Sequence, residues 1–360
     1  MPVAISFMVA PLTWRRVHLA AVAAPALMWC ALADGAPLHT AAPFDAVGFL
    51  RTYARFSDDD IARLGRGEPA ARTLEADSAE AAICAAIDVE VPPAFYIARF
   101  HDIALFKTGG PVLQVRRFGT PPSAGDLAAL RVEDVDELRK CRVGDCAVKL
   151  DAAGIERARG ITGGDAAGRI AAVYREHLAS YAARYMAHGD GALLEYRDAA
   201  KPQAVANELQ QIVEHSPYLL RELPRLATAL TGFTGTLPPG LDGFLYWSAE
   251  EVGPRTVVSI THAIVSTPGD GPAAVATKQI YASHYFTASL GLTILADVSG
   301  GRAPRTRVIY INRSRVDAFA GVLGGVKRAI ARSRARKGAD HTLRALKTRL
   351  EAAFRQSPSG

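Results

Sequence analysis

KQIYASHYFTASLGLTILADV, residues 278–298, is the longest run in the chain that reads as one kind of structure. Alternate positions Ile280, Ala282, His284, Phe286, Ala288, Leu290, Leu292 and Ile294 are apolar in seven cases of eight, while Tyr281, Ser283, Tyr285, Thr287, Ser289, Gly291 and Thr293 form a polar or amphipathic set. That period of two is a strand signature and predicts one strand with an oily inner face and a wet outer one. At about 3.3 Å per residue the strand exceeds the usual length, so a bend is expected at Gly291, where a bulge is cheap. A bent strand curls its sheet around something, and His284 and Phe286 are expected to point at what it encloses.

Extended runs at 244–251, 256–267 and 307–315 flank this stretch, with VGPR, PGDGP and SGGRAPR as turns. Their order predicts an antiparallel meander. In the preceding strand Val258, Ile260, His262 and Ile264 share a face, so His262 is expected to face inward with His284. Two imidazoles on one face can orient a polar ligand group or act as acid and base near neutral pH; each can equally be a satisfied core histidine. Tyr246 and Tyr310, with Trp247, Tyr281 and Tyr285, line a pocket or pack outside it according to register, which a one-residue slip inverts. Arg315 and Asp317 form either a structural pair or, through the arginine, a clamp on an anionic headgroup.

Upstream, AICAAIDVEVPP reads as a strand ending in Pro92-Pro93, which open a helix, AFYIARFHDIALF; VLQVRRFG follows as a strand. Helical spacing begins at 44–62, where Ser57 caps a turn holding Asp58, Asp59 and Asp60. Helices dominate 151–230 and are segmented at Pro217 and Pro224. The chain ends in a basic helix over about 321–355, with Val322, Val326, Ile330, Leu343, Leu346, Leu350 and Phe354 as its apolar positions.

A hydrophobic share of 49% over 360 residues supports a real core. Arg15 and Arg16 precede an apolar run that ends in Ala31-Leu32-Ala33, which reads as a secretory signal over 1–33 and places the mature chain in the periplasm or outside the cell. Cys141 and Cys146 frame CRVGDC and are expected to form a disulfide in an oxidising compartment, whereas Cys84 reads as a buried small hydrophobe. Residues 301–360 carry 15 Lys or Arg against 3 acids, so the net charge of +6 belongs to the C-terminal end. An anionic membrane surface is the partner that this helix suggests; no base-reading motif accompanies the charge, and nucleic acid is not expected. The sequence has no GxSxG, P-loop, Rossmann fingerprint or HExxH, which argues against the common hydrolase, nucleotide-binding and zincin classes. No cofactor and no metal is expected.

With AAIDVEVPPAFYIARFHDI at 85–103, the strands between 244 and 298, and YINRSRVDAFAGVLGGVKRAI at 310–330, the order of elements resembles the START-like helix-grip superfamily of lipid-transfer domains and polyketide cyclases. The resemblance implies an α+β fold in which a curved antiparallel sheet wraps a long C-terminal helix around an apolar cavity. It divides the chain into the signal, a helical extension over 34–79, and a START-like domain over 80–360 with a helical insertion at about 120–230. The function expected is binding of a hydrophobic small molecule or lipid, with His262, His284, Phe286, Tyr246, Tyr310 and Arg315 as ligand contacts. A cyclase- or dehydratase-type enzyme using the two histidines, and a structural or interaction protein, stand as alternatives.

Overall fold

The computed structural model describes residues 44–267, 271–317 and 324–357, with side chains of the last helix from residue 336 onward. The signal segment therefore lies outside the described residues, as do the side chains of Val322, Val326 and Ile330.

Two short helices come first, α1 (Ala46–Ala54) and α2 (Asp58–Gly65). Ser57 and Asp60 exchange side-chain and backbone hydrogen bonds in a capping box, which fixes where α2 starts. Strands β1 (Ala70–Thr73) and β2 (Glu80–Val89) follow, then α3 (Pro93–His101), opened by its proline, then α4 (Ile103–Phe106) and β3 (Val112–Arg117). The next stretch holds α5 (Val135–Lys140), α6 (Ala152–Arg159), α7 (Ala166–His188), the paired β4 (Glu195–Tyr196) and β5 (Gln203–Ala204), α8 (Val205–Glu214), α9 (Pro217–Glu222) and α10 (Pro224–Thr231). Pro217 and Pro224 each sit in a first helical turn, where the missing N–H costs nothing. Five long strands complete the sheet: β6 (Leu241–Val252), β7 (Arg255–Ser266), β8 (Ala273–Ala282), β9 (Phe286–Asp297) and β10 (Thr306–Val316); α11 (Gly324–Gln356) closes the chain.

The fold is thus α+β, with an eight-stranded antiparallel sheet in the order β1-β2-β10-β9-β8-β7-β6-β3 and helices on both of its faces. The expected antiparallel meander is found over β6 to β10, as five strands where four extended runs were expected. No helix among the described residues is long and apolar enough to cross a membrane.

The stretch 278–298 is not one bent strand. Its first residues end β8, a turn at 283–285 reverses the chain with Tyr285 at φ 63°, and the rest is β9. The hairpin pairs Gln279 with Ser289 and Thr277 with Gly291. Directly opposed residues share a face, so an odd-to-odd register carries the alternation through the turn unbroken and hides it from a periodicity reading. Gly291 does not bend β9: a Cβ there would meet Thr277 Oγ1 at 2.3 Å, so glycine makes room for the threonine.

A second correction concerns the faces. One row across the sheet runs Leu245, His262, Lys278, Leu290, Arg313, Ala82; the adjacent row, pointing the other way, runs Tyr246, Thr261, Gln279, Ser289, Ser314, Ala81. The first face, which holds the oily set Ala288, Leu290, Leu292 and Ile294, packs against α7 to α10 through Tyr185, Leu209, Leu219 and Leu226. The second packs Ile87, Val275, Leu295 and Val308 against α3 and against Leu343, Leu346 and Leu350 of α11. Over its described side chains α11 therefore lies on the face opposite the oily set, toward β1 and β2. The expectation that the last helix crosses the oily face of 280–294 fails because both faces are covered, and alternation alone does not say which cover lies where.

Candidate functional site

On the first face nearly every charge is paired. Arg313 reaches Glu80 at 2.8 Å and Glu80 also takes His215 at 2.7 Å. Arg315 binds Asp77 at 2.6 Å and also Glu208, so it is held by two carboxylates and not by Asp317, which instead binds Lys149 at 2.6 Å. Asp77, Glu80 and His215 bring three ligand atoms within 4.8 Å of one another, but the two guanidinium groups already balance that charge.

Both histidines belong to this face. His262 is fully buried, its Nδ1 3.0 Å from Tyr185 Oη and its ring against Phe233; its Nε2 has no partner among the described residues. Burial, helped by the Lys278 charge, pushes its pKa down to about 3, so the ring is neutral. His284 is buried in the 283–285 turn, with Nε2 2.9 Å from Asp134. Phe286 opens β9 opposite Val316 and is half-buried.

Tyrosines from α7 and β4 plug this face. Tyr174 meets Tyr281 at 2.8 Å, Tyr181 donates to the Ile280 carbonyl at 2.9 Å, and Tyr196 accepts the Ala282 N–H at 2.9 Å. Tyr281 faces them, not the wet side expected for it, because the register shifts between β7 and β8 and puts Ile280 and Tyr281 on one face.

The second face is graded. At one end Ala273, Val275, Leu295, Val308 and Ile87 are sealed by α3 and α11. Toward the other end its residues turn polar: Thr293 and Tyr310, then Thr277 and Asn312, then Thr261, Gln279, Ser289 and Ser314. Thr277, Gln279, Ser289, Tyr310 and Asn312 stay partly exposed although they lie on the central strands β8, β9 and β10. Ser289 and Ser314 are hydrogen-bonded at 2.8 Å and Asn312 reaches both. Gln279 Oε1 is buried and accepts nothing among the described residues. A buried acceptor without a donor costs about 1–3 kcal/mol, so this one marks a place where a donor is wanted.

At the β6 edge of this band Lys107 and Glu250 pair at 2.7 Å, and Ser248 donates to Glu250 at 2.6 Å. Burial opposes both charges, but Tyr246 and Glu250 hold the Lys107 pKa up, and Lys107 with Ser248 holds the Glu250 pKa down, so the pair stays ionised. Tyr246 is buried beside Lys107, which lies 5.5 Å from its ring. Burial raises the pKa of the Tyr310 hydroxyl against the opposing charge of Lys107, leaving it a neutral donor.

Of the six expected contacts, Tyr246 and Tyr310 thus lie on the second face, His262 and Arg315 on the first, His284 in the turn, and Phe286 at the start of β9 beyond a register shift, opposite Val316. Thr277, Gln279 and Lys107 escaped the sequence reading, which placed Ser289 on the wet side of its strand. The available signal was the recurrence of polar residues at alternate positions of three neighbouring strands, Thr277 and Gln279, Ser289 and Thr293, and Tyr310, Asn312 and Ser314.

Cys141 and Cys146 are joined in a disulfide, and Cys84 is fully buried in the core.

No family model and no curated protein matches the chain. Among solved structures, the Zhui aromatase/cyclase from Streptomyces sp. R1128 is similar at 12% identity and a TM-score of 0.25, over 43% of this chain and 92% of that one. The di-domain ARO/CYC StfQ from the steffimycin biosynthetic pathway is similar at 11% identity and a TM-score of 0.22, over 75% of this chain and 99% of that one. Similarity at that level leaves function to be read from this chain's own residues.

Proposed function

We propose that the protein binds a hydrophobic small molecule or lipid carrying a hydroxyl or similar donor, in a helix-grip recess between the second face of the sheet and the C-terminal helix. The observation that carries this reading is the band of partly exposed polar side chains on the central strands, with Gln279 Oε1 left as a buried acceptor. A ligand hydroxyl would donate to Gln279 and accept from Tyr310, while its apolar body lies toward the Val275, Leu295 and Val308 end. Small-molecule sites commonly combine apolar walls with a few convergent polar groups.

In the cyclase or dehydratase reading, acid–base work would fall to His262 and His284. Both are closed in by packing, which favours the binding reading. Export to an oxidising compartment belongs to the same proposal and is supported by the disulfide. Contact with an anionic membrane through α11 is a further part of it.

The test is native mass spectrometry of the purified full chain, followed by titration with a panel of long-chain alcohols and hydroxylated aromatics. Binding at a single site is expected, weakened about tenfold, or ~1.4 kcal/mol, in Tyr310→Phe. A chain that carries no ligand and takes none of the panel overturns the proposal.

A further inference from the structure

A second compartment lies on the other side of the sheet, among the insertion helices. It is a cavity of about 380 Å³, with Leu193, Leu209, Leu230 and Leu290 as apolar lining and the buried Lys278 paired with the half-buried Asp190 as its polar group. Its volume is in the lower part of the range of small-molecule sites, about 300–1,000 Å³.

The polar pair is built, not incidental. Lys278 is 1% exposed, and its Nζ donates to Asp190 Oδ1 at 2.5 Å and to the Leu230 carbonyl at 2.7 Å. Asp190 is set by the residue before it: Gly189 has φ 62°, and a Cβ there would lie 1.8 Å from the Phe233 carbonyl oxygen, so only glycine allows the chain to pass. The Asp190 N–H then donates to that same carbonyl at 2.7 Å.

An ammonium has three protons and a carboxylate two oxygens. The described contacts use two of the Lys278 protons and one Asp190 oxygen, which leaves one donor and one acceptor on a pair whose charges cancel. An incoming anion meets Asp190 and the Glu214 carboxylate at the rim; an incoming cation meets Lys278. A hydroxyl group both donates and accepts and carries no charge.

We infer that this cavity is a second ligand site, taking a neutral aliphatic alcohol whose hydroxyl bridges Lys278 and Asp190 and whose chain packs on the surrounding leucines. The inference is independent of the recess on the second face.

The experiment titrates the full chain with 1-octanol, octanoate and octylamine by calorimetry, on wild type, Ala206→Trp, the double variant Lys278→Met with Asp190→Leu, and Tyr310→Phe. Ala206 is an exposed residue of α8 that lines the cavity, so a tryptophan there fills it from the surface. Octanol is expected to bind with one saturable site, at least tenfold tighter than octanoate or octylamine. Ala206→Trp should abolish that binding, the double variant should weaken it at least tenfold, and Tyr310→Phe should leave it unchanged. The double variant removes both charges together, which spares the fold an unpaired buried ion. No saturable octanol binding, binding that survives Ala206→Trp, or a preference for either charged probe overturns the inference; loss of octanol binding in Tyr310→Phe alone would assign it to the recess instead.

Discussion

On the first face of the sheet Arg313, Arg315 and Lys278 each end on a carboxylate, and tyrosines of α7 and β4 close it around 280–282, so that its open part is the cavity at Lys278. On the second face the central polar residues bond mainly to one another and stay partly open, and Gln279 Oε1 has no donor among the described residues. The strands are the same; only the covers differ. The difference teaches that a closed polar network fixes a fold, whereas an open one leaves hydrogen bonds for something else to complete.

The sharpest way to break this comparison is on the closed side. Arg313→Ala leaves Glu80, itself fully buried, with only His215, and should cost about 3–5 kcal/mol in denaturant unfolding. Replacing both partners with Arg313→Met and Glu80→Leu should recover most of it. A single variant as stable as wild type would show that the pair is not desolvated as described.

A smaller effect follows from His262, held near pKa 3 when folded against 6.5 when free. Between those values the unfolded chain binds a proton that the folded chain refuses, so this residue makes stability fall as pH drops below about 6.5 and leaves it flat above. At pH 5 the loss should be about 2 kcal/mol relative to neutral pH. His262→Gln should remove that part of the slope; identical pH profiles for the two proteins would contradict the burial of a neutral ring.

The smallest change expected lies on the open side. Gln279→Met removes an acceptor that has no donor among the described residues and should raise stability by about 1 kcal/mol in the free protein while weakening ligand binding. A loss of stability instead would mean that the glutamine already has its partner.

Much of the architecture was legible in the sequence. The antiparallel order of the closing strands, the Pro-Pro start of α3, the Ser57 cap and the cysteine pair each depend on chemistry within a few residues, and each is found, although the strands number five and not the expected four. What failed depends on distant partners. The turn at 283–285 was invisible because the odd register preserves alternation, and Tyr281 was misplaced by a bulge that no local pattern announces. The covers of the two faces were misassigned because a sheet covered on both sides presents no wet side to calibrate against, so the polar set of β9 passed for solvent-facing. For the same reason the polar band went unread: Gln279 and Thr277 gain meaning only once Ser289 and Gly291 are known to stand opposite.

Lys278 and Gln279 are consecutive residues of β8, yet one belongs to the cavity beneath α8 and α10 and the other to the polar band on the far side. A single amide linkage is therefore the whole partition between two chemically unlike compartments. An isotope label in that linkage would sense the arrival of a guest from either direction, and would say at once whether the two rooms know of each other.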